Sequence, residues 1–194
     1  EIRASLTQLR GRCRELERNN DYVRRFLTAL ESNILGHSGI GLQMKVTENG
    51  GQPDNLANDI IEKAWKKWSS REFCTVTKRM TWFDVQRLIL RSVARDGDMI
   101  IRKIRDRNGF SLQLLEGDRL DINHNREKTK SGDNEIRMGV EVDSVGRPIA
   151  YYILEHNPNE STLTQAKRER IPASEIIHPF ISDRVSQTRG TPWF

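Results

Sequence analysis

Thr81-Trp82-Phe83-Asp84-Val85-Gln86-Arg87-Leu88-Ile89-Leu90-Arg91-Ser92-Val93-Ala94-Arg95-Asp96-Gly97-Asp98-Met99-Ile100-Ile101-Arg102-Lys103-Ile104 is the stretch in which the apolar period changes. Thr81 with Asp84 matches a capping box, Asp standing where Glu is usual. The helix that follows, from Trp82 to Arg95, buries Phe83, Leu88, Ile89 and Val93 at helical spacing. Asp96-Gly97-Asp98 ends it, and two carboxylates around a glycine at such a junction read as a turn before they read as a metal site. From Met99 the period is two. Met99–Ile104 pairs with Phe110–Leu115 across Asn108-Gly109, a two-residue hairpin signal because a type I′ turn needs positive φ.

Downstream the pattern stays extended. Residues 123–134 are polar and read as a flexible loop. Glu135–Val142, the turn Asp143–Pro148 and Ile149–Leu154 predict a second hairpin. A polar excursion over 156–168 leads to Ile171–Phe180, a short turn running into a strand. Upstream the pattern is mainly helical. Residues 2–18 carry Leu6, Leu9, Cys13 and Leu16 on one stripe and arginines on the other faces. Asn19-Asn20-Asp21 offers caps for a second helix with Val23, Phe26, Leu27, Leu30 and Ile34 in its stripe and Gly36 as its stop. Ile40, Leu42, Met44 and Val46 alternate as a half-buried strand. A third helix, Asp54–Ser69, turns Leu56, Ile60, Ile61, Ala64, Trp65 and Trp68 inward and lines the opposite side with Lys63, Lys66 and Lys67; residues 70–80 are irregular. Helices first and antiparallel hairpins after, with no βαβ alternation, give an α+β class. The organisation expected is an N-terminal helical arm over 1–36 and an α+β domain over 37–194.

The chain has 194 residues, 36% hydrophobic and 30% charged, with a net charge of +5. Glu and Asp are interspersed with the bases, so the charge permits contact with nucleic acid or acidic surfaces without requiring it. Cys13 and Cys74 are the only cysteines. They make neither a CxxC pair nor a disulfide framework, which fits a reducing compartment. No run approaches the ~18 apolar residues of a membrane span, no signal peptide opens the chain, and Glu1 in place of an initiator Met predicts a start inside a longer protein.

Chemistry-bearing patterns are sparse. His37, His124, His156 and His178 show no HxxxH or HExxH spacing; no GxSxG elbow or GxxxxGK[ST] loop occurs, and Gly39-Ile40-Gly41 lacks the third glycine of a dinucleotide fingerprint. Glu116-Gly117-Asp118 with Asp121 is the one local acidic cluster that a metal-dependent nuclease could use, if the carboxylates converged in space. The basic candidates for DNA are Arg10 and Arg14 on the first helix and Lys63 and Lys67 on the third. No cofactor is implied.

Several signatures in order carry a resemblance. They are Arg18-Asn19-Asn20-Asp21-Tyr22 with Asn33-Ile34-Leu35-Gly36, Ala64-Trp65-Lys66-Lys67-Trp68, Thr81–Leu88 with Asp96-Gly97-Asp98, Gly139-Val140-Glu141-Val142-Asp143 with Gly146–Tyr152, Ile171-Pro172-Ala173 with Ile177-His178-Pro179-Phe180, and Gln187-Thr188-Arg189-Gly190. Over about residues 10–194 the chain resembles the lambda-type tailed-phage portal proteins. Pro179 departs from the pattern, because a strand-forming residue is usual there and proline donates no ladder bond. The resemblance implies a structural subunit, not an enzyme, of a homo-oligomeric ring, usually of twelve, at one capsid vertex of the virion, assembled in the host cytoplasm. Terminase drives double-stranded DNA through such a ring; the ring meets the major capsid protein and head–tail connector proteins and later lets DNA out. It is not a membrane protein. This piece corresponds to the peripheral wing, with the stem and clip expected after Phe194 and a mostly monomeric state expected for the piece alone. Gln187, Arg189 and Trp193 are the interface or anchor candidates, Arg189 because one guanidinium can hold several carbonyls or a carboxylate. A nucleic-acid-binding module and a metal-dependent nuclease are the alternatives.

Overall fold

A computed structural model describes residues 2–107, 109–127, 133–158 and 167–194. Asn108 of the hairpin turn, and parts of the polar stretches 123–134 and 156–168, lie outside the described residues. The helices are α1 (Ile2–Asn19), α2 (Asp21–Ile34), α3 (Asn55–Trp68), α4 (Arg71–Cys74) and α5 (Trp82–Asp96). The strands are β1 (Met99–Asp106), β2 (Gly109–Glu116), β3 (Glu135–Arg137), β4 (Val140–Val142), β5 (Pro148–Leu154), β6 (Arg168–Pro172) and β7 (Ile176–Ile177). The class is α+β. The strands make two antiparallel sheets, ordered β2-β1-β7 and β3-β4-β5-β6.

Caps set the helix starts. Asn20 accepts from the Tyr22 and Val23 amides, and Asp54 from the Ala57 amide. Thr81 and Asp84 form the full reciprocal capping box of α5. Gly97, at φ 89°, stops α5 and turns the chain into β1, which pairs with β2 from Met99↔Glu116 to Asp106↔Gly109. β1 then divides the core by strict alternation. Ile100 packs with Leu115, Leu120, Val140, Tyr151, Ile153 and Ile171 of the sheet side. Its neighbour Ile101 packs with Val85, Cys74 and Leu112, flanked by Trp68, Trp82 and Ile89 on the helix side. Each fully buried aliphatic side chain contributes about 1.5–3 kcal/mol.

Four expectations change. Residues 40–46 pair with no strand. Gln86 instead receives the Ile40 N–H at Oε1 and donates Nε2–H to the Ile40 carbonyl, while Glu62 and Asn58 receive the amides of Met44 and Val46. Side chains of α3 and α5 thus satisfy this backbone, which removes the need for a ladder partner. The stretch Glu135–Val142 is two strands. Met138 and Gly139, at φ 49° and 84°, fold it back on itself so that Arg137 pairs with Val140. Residues 71–74 form the one-turn helix α4. Lastly, α3 has no buried residue, and Leu56 is 73% exposed, so its apolar stripe faces outward at that end. β7 stops two residues before Pro179, as the missing amide requires.

Candidate functional site

The junction between α5 and β1 places Asp96 and Asp98 inside the molecule, where both are buried. A buried carboxylate is costly unless it is paired and hydrogen-bonded, and here arginines converge from both ends of the chain. Arg189 is 0% exposed. Its Nε donates to Asp98 Oδ2 at 2.7 Å and Nη2 to Gly117 O at 2.7 Å and to Asp98 Oδ1 at 3.3 Å; Nη1 donates to the carbonyls of Leu120, at 3.2 Å, and Met138, at 3.4 Å. All five N–H donors of the fork are used. From α1, Arg10 donates Nη2 to Asp98 Oδ1 at 2.6 Å, Nη1 to Asp118 Oδ1 at 2.9 Å and Nε to the Asp96 carbonyl at 2.7 Å. The Gly190 amide adds a third group on Asp98.

The cluster continues outward as an alternating ladder. Arg14 bridges Asp118 and Asp96; Arg95 bridges Asp96 and Glu17; Arg91 bridges Glu17 and Glu31; Arg87 closes on Glu31. It ties α1 and α2 along α5, so the arm expected at 1–36 is bonded lengthwise to the rest.

Burial alone raises the Asp98 pKa, but Arg189 and Arg10 together outweigh it and hold the carboxyl well below its usual range. His178 sits beside it, with Nε2 3.3 Å from Asp98 Oδ2 at an angle that makes no hydrogen bond. Burial depresses its pKa, and Asp98 only partly offsets that. The charged groups here pair with one another. Each acidic group of the ladder is matched by guanidinium, and among the described residues no group of three or more His, Cys, Asp or Glu could hold a metal. The acidic cluster of the nuclease reading does not converge: Asp118 faces Arg10 and Arg14, Asp121 faces Arg168, and Glu116 receives Asn157.

Of the anchor candidates, Arg189 lies at the centre. Gln187 shapes its approach, receiving the amides of Asp183 and Arg184 at Oε1 and donating Nε2–H to the Arg189 carbonyl at 2.7 Å. Trp193 binds its amide to the Ala94 carbonyl at 2.9 Å and leaves its ring part-exposed. Of the DNA candidates, Arg10 is 3% exposed and does not belong to a solvated basic face; Arg14 is also drawn into the ladder. Lys63 stands exposed near Asp59, and Lys67 lies 5.4 Å over the Phe73 ring.

Residues 1–194 match the family described as phage portal protein, lambda family. The chain belongs to that portal family. It is similar to a probable portal protein of Halomonas phage phiHAP-1, with 37% identity over 190 residues, covering 95% of this chain and 36% of that relative. The portal chain therefore spans about a third of the length of this relative. No helix among its described residues is long and apolar enough to cross a membrane.

Periodicity alone undersells two groups in this portal chain. Arg10 lies four residues after Leu6 and three before Cys13, on the apolar stripe itself, and that placement is the signal that it is buried. Gln86 had no such signal, since its role depends on where residues 38–41 pass.

Proposed function

We propose that this chain is the peripheral, wing-like part of a non-catalytic portal subunit. In this reading copies of the subunit close into a ring, expected to be of twelve, at one vertex of the virion capsid. Terminase threads double-stranded DNA inward through that ring, and head–tail connector proteins later meet it as DNA leaves. The major capsid protein surrounds it, and assembly takes place in the host cytoplasm. Residues 37–194 would form the wing domain, with the arm 1–36 laid along α5.

Membership of the portal family over the whole chain carries the reading. The Arg189 clamp supports it physically. A channel that bears load needs its segments fixed to one another, and a guanidinium saturated by four residues from three parts of the chain fixes the segment 187–194 to the body. Electron microscopy of the full-length protein tests the reading. Closed rings are expected, and a protein that stays monomeric at assembly concentrations would refute it.

A further inference from the structure

The three-stranded sheet is unevenly closed. β2 pairs with β1 along its whole length, from Met99 to Asp106, whereas β7 on the other side of β1 pairs only at Ile101 and Arg102. Among the described residues no strand follows β7 along that side, so Lys103, Ile104 and Arg105 form a free edge of roughly 10 Å. A cavity of about 490 Å³ lies against it, lined by Arg102, Lys103, Ile104, Arg105, Ser174 and Glu175. The last two belong to the single turn Ala173–Glu175 that precedes β7.

The two faces of this edge differ, because successive side chains of a strand alternate. Ile104 shares a face with Ile100 and Arg102, and there Arg102 is answered by Glu169 at 3.0 Å and Glu175 at 3.5 Å. Lys103 and Arg105 share the other face. Neither makes an ion pair among the described residues, and Arg105 lies 6.0 Å over the ring of its cross-strand neighbour Phe110, which carries no neutralising charge. Cations on an edge also hinder edge-to-edge aggregation. Such a guard accounts for the charges and leaves the cavity unexplained. A second copy of β1 laid on this edge would set cation against cation, which is destabilising. A DNA duplex offers phosphates, and no backbone amides to continue a ladder.

We propose that this edge takes an extended segment of a partner protein as an added strand, with a carboxylate residue on each side of an apolar one. The acids meet Lys103 and Arg105 on one face, the apolar side chain covers half-buried Ile104 on the other, and backbone bonds to β1 hold the segment between them. The pattern acid–apolar–acid is the complement of Lys103-Ile104-Arg105 and depends on nothing in how subunits assemble.

Amide hydrogen exchange of the full-length protein tests it, with a blocked peptide of alternating valine and glutamate as the probe at low salt. Saturable slowing of exchange in the stretch that holds Lys103–Arg105 is expected. Two further peptides, one methylated at every glutamate amide nitrogen and one at every valine amide nitrogen, separate the probe's two edges. One should lose binding and the other keep it, because an added strand bonds to β1 along one edge only. Affinity should fall about threefold in Lys103→Gln and in Arg105→Gln, and about tenfold in the double variant, as for an exposed ion pair at each position. Arg105 is exposed, so the unfolding temperature of Arg105→Gln should not move, which separates lost binding from lost fold. The peptide with glutamine for glutamate should bind about tenfold more weakly. No saturable slowing, equal behaviour of the two methylated peptides, or equal binding of the glutamine peptide overturns the proposal. So does protection of the same stretch by a short DNA duplex, or protection that rises with protein concentration when no peptide is added.

Discussion

Arg189 Nε–H donates to Asp98 Oδ2 at 2.7 Å, with both side chains fully shielded from water and 91 residues apart in sequence. A pair this buried adds little net stability over an apolar pair of the same shape, since desolvation offsets the Coulomb gain. Its effect is on specificity. The Arg189 fork fits only where Gly117, Leu120, Met138 and Asp98 present their oxygens together, so the segment can dock in one register.

Removing one partner exposes the asymmetry. Arg189→Ala takes one of two arginines from the buried Asp98 carboxylate and a donor from each of three carbonyls, and is expected to cost about 3–5 kcal/mol in urea unfolding. Arg189→Lys should recover little, because an ammonium cannot span five acceptor positions. The double change Arg189→Met with Asp98→Leu should cost less than the two single changes summed.

The pH dependence has two stages. The pKa of His178 is depressed by burial from its ordinary 6.5, so the unfolded chain binds the proton first. The stability of the neutral ring is complete above that value and is lost as pH falls through it. Glu141, hydrogen-bonded by Arg170, is lowered from 4.5 to about 2, so its share is present above 4.5 and is lost between there and about 2. Asp98 follows the same sign below 3.8. Denaturation followed against pH should show both stages, with His178→Gln removing the upper one and Glu141→Gln reducing the lower.

Two glycines let the clamp close. A Cβ on Gly190 would run into the Gly97 carbonyl, and one on Gly97, at φ 89°, would lie 2.6 Å from Gly190. Gly190→Ala should therefore lift the last residues off α5. Cys13 reports the event, since its thiol donates to the Phe194 carbonyl at 2.6 Å beneath that segment. Cys74 is the internal control, fully buried with its pKa pushed up to about 11. In the parent protein both thiols should resist a thiol reagent at pH 8 until unfolding. In Gly190→Ala, Cys13 should react first and Cys74 remain protected; equal rates would contradict the arrangement.

What the sequence made legible was local. Caps and the 3.6 period place α1, α2, α3 and α5 within a few residues, and the switch at Asp96-Gly97-Asp98 places β1 and β2. What it hid was long-range. Periodicity marks α3 as amphipathic without saying what its stripe faces. Alternation over 40–46 marks an extended chain without saying that side chains, not a strand, meet its backbone. Met138-Gly139 lacks the Asn or Asp that announces a type I′ turn, so the break between β3 and β4 passed as one strand. Within the candidate site, fork chemistry makes Arg189 a candidate interface or anchor residue without saying what it holds. Its acceptors come from Asp98, the Gly117–Leu120 turn and Met138, which no spacing rule connects to Arg189.

The most direct measurement is electron microscopy of full-length protein bearing Arg189→Ala beside the unaltered protein. If the clamp fixes the wing to the rest of a portal subunit, the unaltered protein forms closed rings and the variant forms few or broken ones. Normal rings from the variant would contradict the account.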